Sequence, residues 1–334
     1  MATHDIDWRK DGYQARYLSL PNSTNASAWA TVRIPIHIFR GGDGPVTLLL
    51  GGCHGDEYEA PVALANLAGE LRGMAVQGTV IVVPSVNLPA TLSGTRLSPL
   101  DGLNLNREFP GNPRGSVTQR LAHAISTQLV PLCDHVIDLH SGGRSLNFVP
   151  CMFIHEQENP DRNAAFLAAA ACFPTEYVLV TREAHADLML DDVVEKAGKL
   201  MVSSELGGSG TLTPGTAHIA LRGLRTLLVH LGHIEDYGLR SRSAAQRIVR
   251  VPGAGSYIYA DHSGVIEPCV VPGEIVEDQQ VIAYSHQLDR LDVPPQPVRA
   301  PHAGLVVALN GQGAVHRGDV IAVVGQFDEQ SRAT

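Results

Sequence analysis

The chain has 334 residues, with 25 lysines and arginines against 34 aspartates and glutamates, and a formal net charge of −9 at pH 7. This acidic balance argues against a nucleic-acid-binding protein, which needs clustered basic surface. Hydrophobic residues make up 44% and charged residues 18% of the chain, which is a globular composition. No apolar run approaches the ~18 residues that cross a bilayer, so neither nucleic acid nor a membrane is an expected partner.

Strand-like and helix-like segments alternate up to about residue 240. We expect strands at 30–39, 46–50, 79–83, 135–139, 177–180 and 200–203, the first of them at a half-exposed sheet edge. Helices are expected at 59–74, 117–130, 163–172, 191–197 and 217–231. This alternation predicts an α/β layered domain, residues 1–240, with a mostly parallel sheet.

The pattern changes after residue 240. Short β-rich runs separated by glycine, proline and aspartate turns occur at 256–260, 264–271, 280–284, 304–309 and 320–324. They predict a smaller, all-β, barrel-like domain at 241–334. Its two half-repeats resemble the lipoyl/biotinyl-type barrel, whose carriers attach their cofactor to a lysine. No lysine lies beyond Lys199, which excludes a carrier role.

The strongest local motif is GGCHGDE at 51–57. His54 and Glu57 are three residues apart, so one helical turn would direct both side chains to a common point. His140 follows the strand at 135–139. Two histidines and one glutamate are a ligand set of catalytic zinc. A single histidine would more simply be a structural polar residue. Here, however, the His54–Glu57 pair and His140 each directly follow a buried strand, and α/β sheets form their ligand crevice at such strand ends.

A third strand delivers Glu205 to the same edge of the predicted sheet. Glu205 is not needed as a ligand, so it can take a proton from water and return it to a leaving amine. Two other residues are weaker metal candidates. His230 and His233 lack a third ligand, and Cys53 should point away from its neighbour His54.

The loop at 96–111 is the expected substrate-binding segment. It contains two arginines, Arg96 and Arg107, and two asparagines, Asn104 and Asn106, and is interrupted by glycine and proline residues. An arginine can hold a carboxylate with two hydrogen bonds, and another can stabilise a developing oxyanion. Without the metal set, a solvated surface loop would be the simpler interpretation.

These motifs resemble the succinylglutamate desuccinylase/aspartoacylase family, relatives of the zinc carboxypeptidases, over nearly the whole chain. The resemblance rests on GCHGDE at 52–57, NREF at 106–109, DLH at 138–140, the Glu205 strand and the C-terminal β region. It implies a zinc-carboxypeptidase-like fold and a zinc-dependent deacylase whose C-terminal domain caps the active site.

The same resemblance implies roles for individual residues. It implies one Zn²⁺ per subunit, held by His54, Glu57 and His140, with Glu205 as general base and acid. It further implies a substrate carboxylate on Asn106 and Arg107 and a scissile carbonyl facing Arg96. We also expect Ser141 to bind substrate.

A finer resemblance is to the deacetylases of N-α-acetyl-L-2,4-diaminobutyrate, which makes this compound the leading candidate substrate. It rests on the segments 27–29, 55–59, 98–102 and 140–143. The second amine of this compound needs an acidic partner in the protein, and Asp56, Asp101 and Glu108 are the candidates. The segment after His140 offers Arg144 and Asn147 instead.

Three alternatives stay open on the sequence: a carboxypeptidase for short peptides, a family member acting on another N-acyl amino acid, and a non-catalytic zinc- or ligand-binding protein. The N-terminus has no visible signal peptide, and the five cysteines lack paired spacing, so we expect a cytoplasmic protein. A homo-oligomer is possible for an enzyme of this size.

Overall fold

The computed structural model describes residues 5–181, 188–236, 246–290 and 292–328. In the first 250 residues the strands are β1 Gly12–Pro21, β2 Thr31–Gly41, β3 Val46–Gly51, β4 Gly78–Val83, β5 His135–His140, β6 Leu146–Phe148, β7 Cys151–His155, β8 Tyr177–Thr181, β9 Leu200–Glu205 and β10 Arg247–Arg250. They are followed by β11 Tyr257–Tyr259, β12 Gly264–Pro268, β13 Ile275–Val276, β14 Val281–His286, β15 Gln296–Arg299, β16 Gly304–Asn310, β17 Ala314–Val315 and β18 Val320–Phe327.

The α-helices of the described residues all precede β10. They are α1 Glu59–Leu71, α2 Leu88–Ser93, α3 Val117–Ala124, α4 Pro160–Ala170, α5 Leu190–Lys196 and α6 Pro214–His230. The helix expected at 117–130 is shorter, because α3 gives way to a π-helical turn at Ile125–Leu129. Among the helices that can be described, none has the length and apolar character to cross a bilayer.

Fourteen strands of the described chain form one large sheet. Its order is β1-β2-β4-β3-β5-β9-β7-β8-β10-β18-β16-β13, with β11 paired to β18 and β6 to β16. The central strands β4, β3, β5 and β9 run parallel to one another, as do β7, β8 and β10. Antiparallel pairs join β1 to β2, β2 to β4 and β7 to β9. The sheet is therefore mixed, and the expectation of a mostly parallel sheet holds only within these two groups of strands.

The strand predicted at 30–39 does not lie at a sheet edge. It is β2, which pairs with β4 on one side and with β1 on the other. Strand β1 is the outer strand, and its inward side chains Leu18 and Leu20 are buried. Because β1 covers it, β2 buries Ile34, Ile36 and Ile38 completely.

The helices pack on the parallel centre of the sheet. Helix α1 contacts β3, β4 and β5 and lies against α6, while α4 and α5 contact β9. Helix α1 buries a stripe of residues at helical spacing, Ala60, Ala63, Leu64, Leu67 and Leu71. This packing fixes the carboxyl ends of β3, β5 and β9 beside one another, where the predicted site residues lie.

The C-terminal strands do not form the barrel-like domain that we expected. Strands β12, β14, β15 and β17 make a separate antiparallel sheet, and no closed barrel occurs among the strands in the described ranges. The reason is that β16 and β18 pair with β6 and β10 and so extend the large sheet. The two sheets enclose a common apolar core that includes Ile282, Val306 and Val324.

Candidate active site

The loop after β3 holds His54 and Glu57 in fixed positions, with each residue only 3% exposed. Close packing determines the shape of this loop. A Cβ atom on Gly55 would lie 2.0 Å from the backbone carbon of Ala90, so only glycine fits between the two functional residues. Gly52 adopts a φ of +65°, a left-handed conformation that glycine adopts readily.

His54, Glu57 and His140 meet at one point, as the sequence predicted. The two Glu57 carboxylate oxygens each face one imidazole: Oε1 lies 2.7 Å from His54 Nδ1, and Oε2 lies 3.0 Å from His140 Nδ1. One ligand atom of each residue lies within 4.8 Å of the others, so this buried group could hold a metal ion.

The outer ring nitrogens of both histidines also face oxygen acceptors. His140 Nε2 lies 2.9 Å from Asp138 Oδ2, and His54 Nε2 lies 3.1 Å from Asn104 Oδ1. A neutral imidazole donates one proton only, so it cannot satisfy an acceptor at each nitrogen. A cation held between the two rings and Glu57 would leave each ring free to donate its proton to the outer oxygen. This arrangement, with outer partners orienting each ring, fits a metal centre.

The charges of this cluster depend on one another. Burial alone would lower the pKa of His140, but the carboxylates of Asp138 and Glu57 outweigh it and raise that pKa well above its usual value. Burial alone would raise the pKa of Glu57, but His54 and His140 outweigh it and lower that pKa. The free site therefore favours positive charge between its imidazoles and its carboxylates, whether supplied by protons or by a metal.

Glu205 lies on β9 directly opposite His140 on β5. Its Oε2 atom is shielded from solvent and has no hydrogen-bond partner in the described part of the chain. Burial, assisted by the negative charge of Glu57, raises the pKa of Glu205 to about 8. A carboxylate whose pKa lies near neutral is suited to general acid–base catalysis.

The loop at 96–107 lies over the cluster. Arg96 Nη1 is 3.3 Å from Glu57 Oε1, and Asn106 and Arg107 lie on a 3₁₀ turn, Leu105–Arg107. Asn106 Oδ1 accepts a hydrogen bond from the backbone of Leu190, which links the turn to α5.

A cavity of about 220 Å³ brings these residues together. The predicted residues on its wall are His54, Arg96, Asn106, Arg107, His140 and Glu205. Glu57 lies behind this wall with its carboxylate between the two histidines. Ser141 is buried, does not line the cavity, and donates its backbone N–H to Glu57 Oε2 at 3.1 Å. The structure therefore places Ser141 where it positions Glu57, and substrate binding by its side chain stays a prediction.

Several cavity residues were missed by the sequence reasoning. Asp138 carries a detectable signal, because it precedes His140 by two residues on a strand and so shares its face. Asp191 lies at the start of α5, Phe153 on β7 and Tyr257 on β11. No motif marks these three positions, and β7 itself was not predicted.

The weaker metal candidates have other roles or neighbours. His233 is buried and bonds to Thr47 and to the Gln77 carbonyl, which makes it a structural histidine, and His230 is exposed. Cys53 belongs to a second group, with Asp138 and His140, whose ligand atoms lie within 4.8 Å of one another. Burial raises the pKa of its thiol, which opposes the thiolate that metals prefer.

Fold and site together define an α/β protein with a candidate metal-binding active site at the carboxyl ends of its central strands. The catalytic-domain model of the succinylglutamate desuccinylase/aspartoacylase family matches residues 43–231. The chain is 41% identical to the N-alpha-acetyl-L-2,4-diaminobutyric acid deacetylase of Halomonas elongata, over 97% of this chain and 94% of that protein.

Solved structures give the same result. A succinylglutamate desuccinylase/aspartoacylase from Rhodobacter sphaeroides is similar with a TM-score of 0.91 and 38% identity, over 97% of this chain and 98% of that chain. A product-bound ectoine utilization protein from Ruegeria pomeroyi has the same TM-score and identity, over 96% and 97% of the two chains. The chain belongs to the succinylglutamate desuccinylase/aspartoacylase family, whose members are hydrolases acting on amides.

Proposed function

We propose that this chain is a zinc-dependent amidohydrolase that removes a small acyl group from an N-acyl amino acid, with N-α-acetyl-L-2,4-diaminobutyrate as the leading candidate substrate. One observation carries the proposal: the His54–Glu57–His140 cluster, the Glu205 carboxylate and Arg107 meet around one cavity. The Halomonas elongata relative supports the choice of substrate, since its name specifies that compound.

His54, Glu57 and His140 would hold one zinc ion per chain, in the position where both imidazoles face Glu57. When bound, zinc polarises a carbonyl oxygen and lowers the pKa of water to about 7. Asp138 and Asn104 keep the histidine rings oriented through hydrogen bonds of 2.9 and 3.1 Å. This outer support fixes the ligand atoms before the substrate arrives.

Glu205 takes the proton of the attacking water and returns it to the leaving amine. Its shielded oxygen has no other hydrogen-bond partner among the described residues and is therefore available. Arg96 lies beside Glu57, where its guanidinium can stabilise negative charge that develops on the carbonyl oxygen.

Arg107 and Asn106 position the substrate by its carboxylate. Arg107 is exposed at the cavity mouth and donates through Nη1 to the Asn106 carbonyl, which orients its guanidinium. The remaining guanidinium donors can bind a carboxylate at two points.

The size of the cavity favours a small substrate over a peptide. Its volume of about 220 Å³ is below the ~300–1,000 Å³ typical of sites for drug-sized ligands. Tyr257, from the C-terminal part proposed as a capping domain at 241–334, lies on its wall. We infer from this that the C-terminal part restricts the site, with the catalytic domain at 1–240.

The five cysteines are free thiols in the structure, which supports a reducing, cytoplasmic location as part of the proposal.

A hydrolysis screen tests the proposal. The zinc-loaded protein is incubated with N-acetyl, N-succinyl and N-formyl amino acids, including N-α-acetyl-L-2,4-diaminobutyrate, and with dipeptides. We expect the protein to hydrolyse an N-acyl amino acid. This activity should be lost when zinc is removed and restored when zinc is added back. Faster cleavage of dipeptides would favour the carboxypeptidase, and no hydrolysis of any substrate would favour a binding protein.

A further inference from the structure

Asp191 is a carboxylate on the wall of the catalytic cavity without a role in the proposed mechanism. It lies in the first turn of α5, next to Leu190, whose backbone N–H bonds to Asn106. The same cavity is lined by Arg107 and Glu205. Asp191 therefore faces the space in which the substrate would bind.

The Asp191 carboxylate is largely buried and incompletely neutralised. Its side chain is 13% exposed, and Oδ2 forms an ion-pair contact with His155 Nε2 at 3.7 Å, which is too long for a hydrogen bond. Within the described ranges, Oδ1 accepts a hydrogen bond only from the backbone N–H of Asp192, and no lysine or arginine forms a salt bridge with Asp191. Burial, assisted by Asp192 and Glu195, outweighs the opposing charge of His155 and raises the pKa of Asp191. A cation from the substrate would stabilise the ionised carboxylate.

The other acidic side chains considered for such a cation are already engaged. Asp101 accepts hydrogen bonds from the backbone and hydroxyl of Thr118, and Glu108 accepts one from Gln119. Asp56 accepts the backbone N–H of Arg144. These three residues do not line the cavity.

The remaining cavity carboxylates also have roles. Asp138 faces His140 at 2.9 Å, and Glu205 is assigned to proton transfer. Among the cavity carboxylates, this leaves Asp191 for recognition of the substrate.

We propose that Asp191 determines specificity by pairing with a second, protonated amine on the side chain of the N-acyl amino acid. This inference rests on the proposed function and narrows its substrate class to N-acylated diamino acids. Arg107 would hold the carboxylate and Asp191 the side-chain ammonium, so both charged ends of the substrate meet an opposite charge. A partly buried, charge-assisted hydrogen bond of this kind changes kcat/KM by roughly 10- to 100-fold.

The test compares two substrates of nearly equal shape on the zinc-loaded enzyme. N-α-acetyl-L-2,4-diaminobutyrate ends in an ammonium where N-α-acetyl-L-norvaline ends in a methyl group. We expect the wild type to prefer the diamino substrate at least tenfold in kcat/KM. In Asp191→Asn, the ratio of kcat/KM for the diamino substrate to kcat/KM for the norvaline substrate should fall at least tenfold, mainly because kcat/KM for the diamino substrate falls. Because the measure is a ratio within each variant, partial unfolding cancels.

Glu195→Gln is the matched control. Glu195 bonds to His155 at 3.0 Å and belongs to the same acidic group, but it does not line the cavity. In Glu195→Gln, the ratio of kcat/KM for the two substrates should stay within about threefold of the wild-type ratio.

Each alternative result is decisive. An unchanged ratio in Asp191→Asn, or an equal loss on both substrates, overturns the role of Asp191 while leaving the deacylase function intact. A wild type that hydrolyses other N-acyl amino acids but neither of these two overturns both the diaminobutyrate assignment and this inference. A wild type that hydrolyses no N-acyl amino acid overturns the proposed function itself.

Discussion

Replacing Asp138 by asparagine should weaken zinc binding without changing a single ligand. Asp138 Oδ2 lies 2.9 Å from His140 Nε2, and the two residues are only 1% and 8% exposed. A hydrogen bond to a charged group contributes about 1.5–3 kcal/mol. Since each 1.4 kcal/mol is a factor of ten in affinity, Asp138→Asn should raise the zinc Kd by roughly 10- to 100-fold, the range typical of such outer partners.

The same substitution should change the number of protons released on zinc binding. Because the carboxylates of Asp138 and Glu57 raise the pKa of His140 well above its usual value, protons compete with zinc for this ring. Zinc affinity should therefore fall as the pH falls. Without the Asp138 charge, the pKa of His140 drops, and fewer protons are released near pH 7.

Two measurements check this prediction. Competition with a chelator at pH 7.5 gives the zinc Kd, and calorimetric titration in buffers of different ionisation enthalpy gives the number of protons released. Asp134→Asn is the control: Asp134 accepts the backbone N–H of Val46 ahead of β5 and lies outside the cavity. If Asp138→Asn matched the wild type in both quantities, the assigned orienting role would be wrong.

Three further predictions follow from the site. First, Glu205 keeps its proton in the folded, metal-free protein up to about pH 8, whereas a glutamate in the unfolded chain ionises near pH 4.5, so the folded protein loses stability as the pH rises through this range. The melting temperature of Glu205→Gln minus that of the wild type should therefore increase from pH 5 to pH 8. A difference that stays constant would contradict the raised pKa of Glu205. Second, Arg107→Ala should raise KM for carboxylate substrates at least tenfold with a smaller effect on kcat, and unchanged kinetics would exclude the clamp. Third, Gly55→Ala should lower both thermal stability and zinc content, because the added Cβ atom has no room at position 55. Gly69→Ala is the control: an added Cβ there has no atom within 4 Å and should stabilise α1 by about 0.5–1 kcal/mol. Equal melting temperatures for the two variants would refute the packing argument.

The convergence of the candidate metal ligands could be predicted from the sequence because it depends on a local rule. His54, His140 and Glu205 each follow or end a buried strand, and the ends of parallel strands meet at one edge of a sheet. The strand order that makes β3, β5 and β9 neighbours need not be known for this prediction. The spacing of Glu57 from His54 is short enough to be set by the loop itself.

Other features depend on long-range pairing and could not be predicted in this way. Strand β2 becomes internal only because β1 pairs with it. The C-terminal strands do not close a barrel because β18 pairs with β10, which pairs with β8 of the preceding segment, and because β16 pairs with β6. Asp191 reaches the cavity because α5 packs on β9, and neither spacing nor residue type reveals that contact.

The central claim is tested most directly by turnover of zinc-loaded Glu205→Gln on the best substrate of the screen, with zinc content measured on the same sample. We expect one zinc per chain in both wild type and variant. We also expect a turnover about 10²- to 10⁴-fold lower in the variant, the usual contribution of a general base. A zinc-loaded variant that retains wild-type turnover would contradict the assignment of Glu205, and a wild type whose turnover survives complete zinc removal would contradict the metal-dependent mechanism.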